Sequence, residues 1–350
     1  MYDGSHGQGA PGGQGAAAGP AAEGRGRPAV GAGNTLTVTY RPPGGEETYL
    51  AKVSGPGLPS PFWQVWEELQ RLGVPPESVS AAYSEIEPCR LPGCYCDLQL
   101  RDFAFPQADV SCGRPYGETR RERDAAVAAN AEQAAMMAQL MGQPVPPAAS
   151  PVPVPAVPEA PPLDDAQLGR VLASAFGPDG VRRYQRDELG RARVPARQAA
   201  SLAEAGLPAR VPHIFQAWAA RPIAEQLRTR RSPLSGQALA NLDLFASIGG
   251  DGHCFLCVVI DGPPHIVGRV WAVDPITGAT RFVNTGPAEL ARSLTLLARG
   301  RQRMRGLDPY AAGAMVERIQ EQLAAVDPPA FHGEDRWWSL VVEQMWNGLL

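Results

Sequence analysis

Tyr83-Ser84-Glu85-Ile86-Glu87-Pro88-Cys89-Arg90-Leu91-Pro92-Gly93-Cys94-Tyr95-Cys96 carries three of the chain's six cysteines within eight residues. An apolar, strand-like run leads into this stretch and a helix-like run follows, so the thiols sit at a strand-to-helix turn. Soft donors converging from a tight turn are what tetrahedral zinc takes, which makes Cys89, Cys94 and Cys96 candidate metal ligands. The residues themselves leave three readings open. They are buried structural thiols, since free cysteine packs well in cores, a zinc site without catalysis, or a zinc site that ionises water.

The third reading needs more than thiols. A Pro-Cys step leading from a strand into a helix is half of a zinc deaminase signature, whose other half is a His-x-Glu on the preceding helix. That helix is expected over 61–72, where Phe62, Val65, Trp66 and Leu69 fall at the i, i+3, i+4, i+7 spacing. It contains neither His nor Cys and offers Trp66-Glu67-Glu68 instead. Glu67 and Glu85 are the candidate proton carriers, with no imidazole beside either.

Working outward, 350 residues predict two domains with tails. A net charge of −4 gives no sign of the broad basic face of a nucleic-acid binder, so a nucleic-acid partner is not expected. Lys52 is the only lysine, so nearly all positive charge is Arg. Residues 1–34 are Gly/Ala-rich, have no apolar core of a signal peptide, and are expected to be disordered. No run approaches the roughly 18 apolar residues that span a bilayer. The expectation is a cytoplasmic protein with reduced cysteines and no membrane partner.

Order is expected from Thr35. Alternating threonines and apolar residues, turned at Pro42-Pro43-Gly44-Gly45, read as a hairpin. Strands at 79–86 and 108–112, a helix over 94–103 and a long helix over 118–140 complete a first domain at 35–141. Pro151-Val152-Pro153-Val154-Pro155 lies in a Pro-rich linker at 142–162 of extended type. The second domain, 163–350, opens with helices at 164–176 and 196–205. Strand-like runs follow at 242–248, 254–260, 268–273 and 280–283, separated by Gly/Asp/Pro turns as in an antiparallel meander. Three helices close the chain, the last with Trp338, Val341, Val342, Met345 and Leu349 as an apolar stripe. Strands followed by helices predict α+β in both domains. Cys254-x-x-Cys257 resembles a metal half-site, but residues three apart on a strand diverge. His253 and His265 read as ordinary turn residues. Two arginine runs, Arg228/Arg230/Arg231 and Arg299/Arg301/Arg303/Arg305, are either solvated faces or contact patches for an acidic partner.

Ser84-Glu85-x-Glu87-Pro88-Cys89, Leu91-Pro92-Gly93-x-Tyr95-Cys96, Phe105-Pro106-x-Ala108-x-Val110-Ser111 and Tyr116-Gly117-x-Thr119 resemble the nucleic acid/nucleotide deaminase-like domains of bacterial polymorphic toxin systems. The resemblance implies an α/β sandwich with a mixed sheet, with Cys89 and Cys96 as paired zinc ligands and Cys94 a bystander. The wide cysteine spacing and the absent first ligand depart from the pattern and imply a degenerate module. Phe176-Gly177, Ala205-Gly206-Leu207-Pro208, Ile248-Gly249, Val270 through Asp274, Thr277-Gly278 and Arg281-Phe282-Val283-Asn284-Thr285 are similar to the fourth subfamily of SUKH immunity proteins. That implies an antiparallel sheet packed with helices that binds a toxin domain and has no active site. The expected function is toxin immunity, with cofactor none or Zn; the alternative is a zinc-dependent nucleotide or nucleic acid deaminase.

Overall fold

Alternation of threonine with Leu36, Val38 and Tyr40 makes β1 (Thr35–Tyr40), whose apolar side chains all point inward. The computed structural model describes residues 26–229 and 232–350. β2 (Thr48–Val53) pairs antiparallel with β1 across the expected turn. α1 (Pro61–Arg71) starts with Pro61, whose fixed φ suits a first helical turn, and buries Phe62, Val65 and Leu69. β3 (Val79–Ile86) lies on the other side of β1, and β4 (Asp109–Arg114) runs parallel to β3. The sheet order is β2-β1-β3-β4, mixed as expected. The helix expected over 94–103 begins only at α2 (Cys96–Leu98) and continues as a π turn through Gln99–Ala104, because Tyr95 is left-handed (φ 48°). α3 (Arg120–Leu140) is opened by a capping box between Thr119 and Glu122.

In the second half, α4 (Asp165–Phe176), with its own capping box from Asp164 and Gln167, precedes β5 (Val181–Arg182), α5 (Arg186–Arg191) and α6 (Ala196–Glu204). β6 (Leu207–Pro208) pairs with β5, and β7 (Arg210–Val211) with β8 (Phe215–Pro222). α7 (Ile223–Thr229) and α8 (Gly236–Asn241) lead to β9 (Phe245–Gly250), β10 (Phe255–Val259), β11 (Val270–Val273) and β12 (Thr280–Asn284). The expected four-strand meander is present, extended by β8 and β7 into a six-stranded antiparallel sheet. The strand expected over 242–248 starts three residues later, because Leu242–Leu244 forms a 3₁₀ turn. α9 (Pro287–Met304), α10 (Pro309–Val326) and α11 (Trp337–Trp346) are the three closing helices. Trp337, Trp338 and Trp346 are buried.

Residues 26–34, expected as the end of a disordered tail, are held against the second half. Ala29 and Val30 are buried, Val30 N donates to Pro309 O (3.0 Å), and Gly31 N donates to Trp346 O (2.8 Å). The small side chains fit because α10 is bare at Gly313, where a Cβ would come 2.6 Å from Pro28 O. Expectations for residues 1–25, and for Arg230 and Arg231, lie outside the described residues. Residues 142–162 run alongside α10, where Gln320 Nε2 donates to Val152 O (3.1 Å) and Ala160 N donates to Ala325 O (2.7 Å).

The two halves share one apolar core, which runs from Val38 and Leu100 through Ile214 to Trp337 and Leu350. Polar bolts cross it. Arg123 of α3 makes a two-pronged ion pair with Glu343 of α11 (2.5 and 2.9 Å), both side chains at most 3% exposed. Arg301 donates to Leu58 O (3.0 Å) and Pro212 O (3.3 Å), and Arg305 to Gly57 O (3.3 Å). Part of the second arginine run is therefore spent inside the chain. His213, between β7 and β8, stacks on Trp63 of α1 (centroids 4.6 Å apart) with Nε2 3.2 Å from Glu67. Burial, with Arg301 and Arg210 adding repulsion, pulls its pKa down to about 4. The Glu67 carboxylate is 58% exposed and too well solvated to offset that.

Removing one member of a buried ion pair strands the other charge. Arg123→Met or Glu343→Gln is expected to cost about 3–5 kcal/mol in denaturant unfolding, and the double change Arg123→Met/Glu343→Leu to recover most of it. His213 gives a pH signature. Above about pH 6.5 the ring is neutral folded and unfolded; between there and about 4 only the unfolded chain takes the proton. Stability should fall as the pH is lowered from about 6.5 to about 4, and His213→Gln should flatten that fall in a pH series of melting curves.

Candidate functional site

The cysteine stretch leaves the carboxyl end of β3 and returns into α2, so its thiols gather where α1 also begins. Tyr95, in its left-handed conformation, sits between Cys94 and Cys96, whose sulfurs are joined as a disulfide. The Cys89 sulfur completes a cluster in which all three Sγ atoms lie within 4.8 Å of one another. Asp97, buried behind them, accepts from Arg90 Nε (2.8 Å) and Arg101 Nε (2.7 Å), which pins both ends of the loop. Cys94, expected as a bystander, is thus the residue bonded to Cys96.

From α1 the cluster meets Ser60, whose Oγ lies 3.4 Å from Cys96 Sγ, and the ring of Phe62. Neither side chain offers an imidazole or a carboxylate to the cluster. The proposed proton carriers stand elsewhere. Glu67 is paired with His213, and Glu85 accepts from Thr35 N (3.1 Å) on the β1 edge of β3. Neither is among the residues lining the space around the thiols. Glu87 is, and sequence reasoning passed over it although it stands two residues before Cys89. Its Oε2 accepts from Tyr116 N (3.1 Å), so it serves the fold.

The second half closes the site. Cys89 Sγ donates to Gln344 Oε1 of α11 (3.4 Å), Gln344 Nε2 donates to Pro92 O, and Leu349 forms part of the wall. The remaining space is about 30 Å³. That admits a water or an ion, whereas small-molecule pockets run to roughly 300–1,000 Å³. Burial pushes the Cys89 thiol up, opposed by nearby backbone N–H groups, so it is held as a neutral thiol.

Three sulfurs this close are a donor set that fits zinc once the disulfide is reduced. A catalytic ion also needs an open position for water and a free carboxylate beside it. Among the described residues lining the space no histidine is present, and the carboxylate there is already engaged. The residues fit a closed structural ion and do not fit a catalytic one. Of the remaining cysteines, Cys257 is buried in a separate small apolar cluster from Cys254, the divergence expected of strand residues three apart. Cys112 is an exposed free thiol. No helix of the described residues is long and apolar enough to cross a membrane.

Comparison with known families gives two matches. Residues 31–133 match the Xanthomonas-like deaminase family, and residues 167–344 match the SUKH-4 immunity protein family. No curated protein and no solved structure gives a significant match. The chain therefore carries a deaminase-like domain, and, with half its length in the second match, it belongs to the SUKH-4 immunity protein family.

Proposed function

We propose that this chain is a non-catalytic immunity protein of a bacterial polymorphic toxin system, acting in the cytoplasm, whose SUKH-type half binds and neutralises a toxin domain. The observation that carries the reading is the closed cysteine pocket. Gln344 and Leu349 of the immunity half cap the place where a deaminase would take its base, leaving room for a water and none for a nucleotide. Family membership supplies the immunity role, and the Ser60/Phe62 pair supplies the reason the deaminase-like half has no chemistry of its own. On this reading the first half is a recognition and packing module that the immunity half covers. Domain limits of 35–141 and 163–350, joined by a Pro-rich linker at 142–162, belong to the same proposal.

The alternative, a zinc-dependent deaminase acting on a nucleotide or nucleic acid, rests on the three gathered cysteines. It requires the residues after α11 to withdraw and Cys89 and Cys96 to hold the ion with a proton carrier brought in from outside the present pocket.

Full-length protein, reduced and supplied with zinc, is expected to release no ammonia from cytidine, adenosine or single-stranded nucleic acid. Co-expressed with a panel of polymorphic-toxin domains, it is expected to restore growth against at least one and to co-elute with it. Ammonia release that Cys89→Ser abolishes, without rescue of growth, would reverse the assignment. The seal itself is testable. In a Cys112→Ser background, Leu349→Ala removes a core side chain at a cost of about 2 kcal/mol or more. If that cost falls on pocket opening, Cys89 should react with a thiol reagent about thirtyfold faster.

A further inference from the structure

A cleft of about 790 Å³ opens between the two halves, away from the cysteine pocket, with Arg90 and Asp102 on one wall and Arg281 on the other. His253, Cys254 and Asp274 stand together on its wall. A ring nitrogen, the thiol sulfur and a carboxylate oxygen all lie within 4.8 Å of one another. The topology brings them there. Phe255 of β10 is paired with Val273 of β11, so the residues just outside the two strands, Cys254 and Asp274, face each other at the same end of the sheet.

Each donor is fixed by its backbone. Asp251 Oδ1 accepts from His253 N (3.2 Å) and Cys254 N (2.8 Å), closing the turn that holds both side chains. Asp274 gives Oδ1 to the N–H groups of Ile276 (2.7 Å) and Thr277 (2.9 Å), which leaves Oδ2 free to meet His253 Nε2 at 3.1 Å. Tyr95 Oη, whose proton goes to Asp251 Oδ2 (2.9 Å), also lies 3.4 Å from Cys254 Sγ and packs beside the sulfur. Cys254 is buried, while His253 and Asp274 reach the cleft.

We propose that His253, Cys254 and Asp274 form a zinc site whose fourth position opens into the cleft. One nitrogen, one sulfur and one oxygen suit zinc, and three protein ligands with an open place is the arrangement that leaves room for water or an incoming donor. Bonds of roughly 2.0–2.3 Å set ligand atoms about 3.3–3.6 Å apart in a tetrahedron. The His253–Asp274 separation is already near that, so closing the set asks only side-chain adjustment. The ion would tie the β9–β10 turn to the end of β11 and present a Lewis-acidic point to whatever enters the cleft. This site is independent of the Cys89 cluster and of the immunity assignment.

The test uses full-length protein freed of metal, reduced, and carrying Cys89→Ser/Cys94→Ser/Cys96→Ser so that the other thiols cannot answer. Cobalt(II) should be taken up at one equivalent with a thiolate-to-cobalt charge-transfer band, and zinc should displace it. Cys254→Ser should abolish the band, and Asp274→Asn and His253→Gln should each weaken zinc at least about tenfold. Should the triple background not fold, the same reading comes from the otherwise unaltered chain with its Cys94–Cys96 bond intact, as a zinc-dependent rise in melting temperature lost in Cys254→Ser. No saturable uptake by folded protein, or a charge-transfer band that survives Cys254→Ser, overturns the proposal.

Discussion

One buried carboxylate joins the halves of this molecule. Asp251 Oδ2 accepts from Tyr95 Oη (2.9 Å) and Trp337 Nε1 (2.8 Å), while Oδ1 accepts from the backbone of His253 and Cys254. A carboxylate taken out of water costs several kcal/mol unless its lone pairs are met. Here burial raises its pKa and the four donors oppose that rise. Those donors come from the cysteine loop, the β9–β10 turn and α11, so none of the three segments reaches its final place without the other two. Tyr95 also stands between the bonded cysteines, which ties the geometry of the Cys89 pocket to that of the sheet on the far side of the interface.

The same interface consumes what each half would need to act alone. The first turn of α1, which should present ligands, presents Ser60 and Phe62 to a pocket lidded by Leu349. Arg301 and Arg305, which could have formed a charged face for a partner, donate instead to carbonyls of the 57–58 loop. Burial and the neighbouring Arg305 draw the Arg301 guanidinium down to about 10, so it remains charged near neutrality. On the proposed immunity reading, a protein partner would use the faces that this docking leaves open.

Local pattern carried much of the fold. The apolar positions of α1, the threonine alternation of β1 and the glycine-punctuated meander each follow from a period that one side chain's neighbours enforce. What escaped was long-range or small. β8 was missed because Phe215–Pro222 mixes large and small residues without a clean alternation and runs into a helix. The burial of Ala29 and Val30 depends on Gly313, nearly the length of the chain away. The cysteine cluster was legible from spacing alone. Its closure was not, since Cys89 and Gln344 are 255 residues apart and glutamine on an apolar stripe signals nothing by itself. Glu67 illustrates the converse error of proximity. It stands on the right helix, but the helical period aims it at His213 and away from the thiols.

The missing imidazole and the sealed pocket are two constraints of unequal weight. An imidazole could be brought beside the thiols by one substitution at Ser60, whose Oγ lies 3.4 Å from Cys96 Sγ. The seal cannot be lifted so simply, because Leu349 and Gln344 are continuous with α11. That helix is held by Glu343 to Arg123, by Trp337 to Asp251 and by Trp346 to Gln320 (3.0 Å). Opening the pocket to a nucleobase means breaking a buried ion pair and several buried hydrogen bonds together, a cost beyond what a small substrate's binding repays. The proposed lack of chemistry in the first half thus rests less on which ligand is absent than on which helix is present, and that helix belongs to the immunity half.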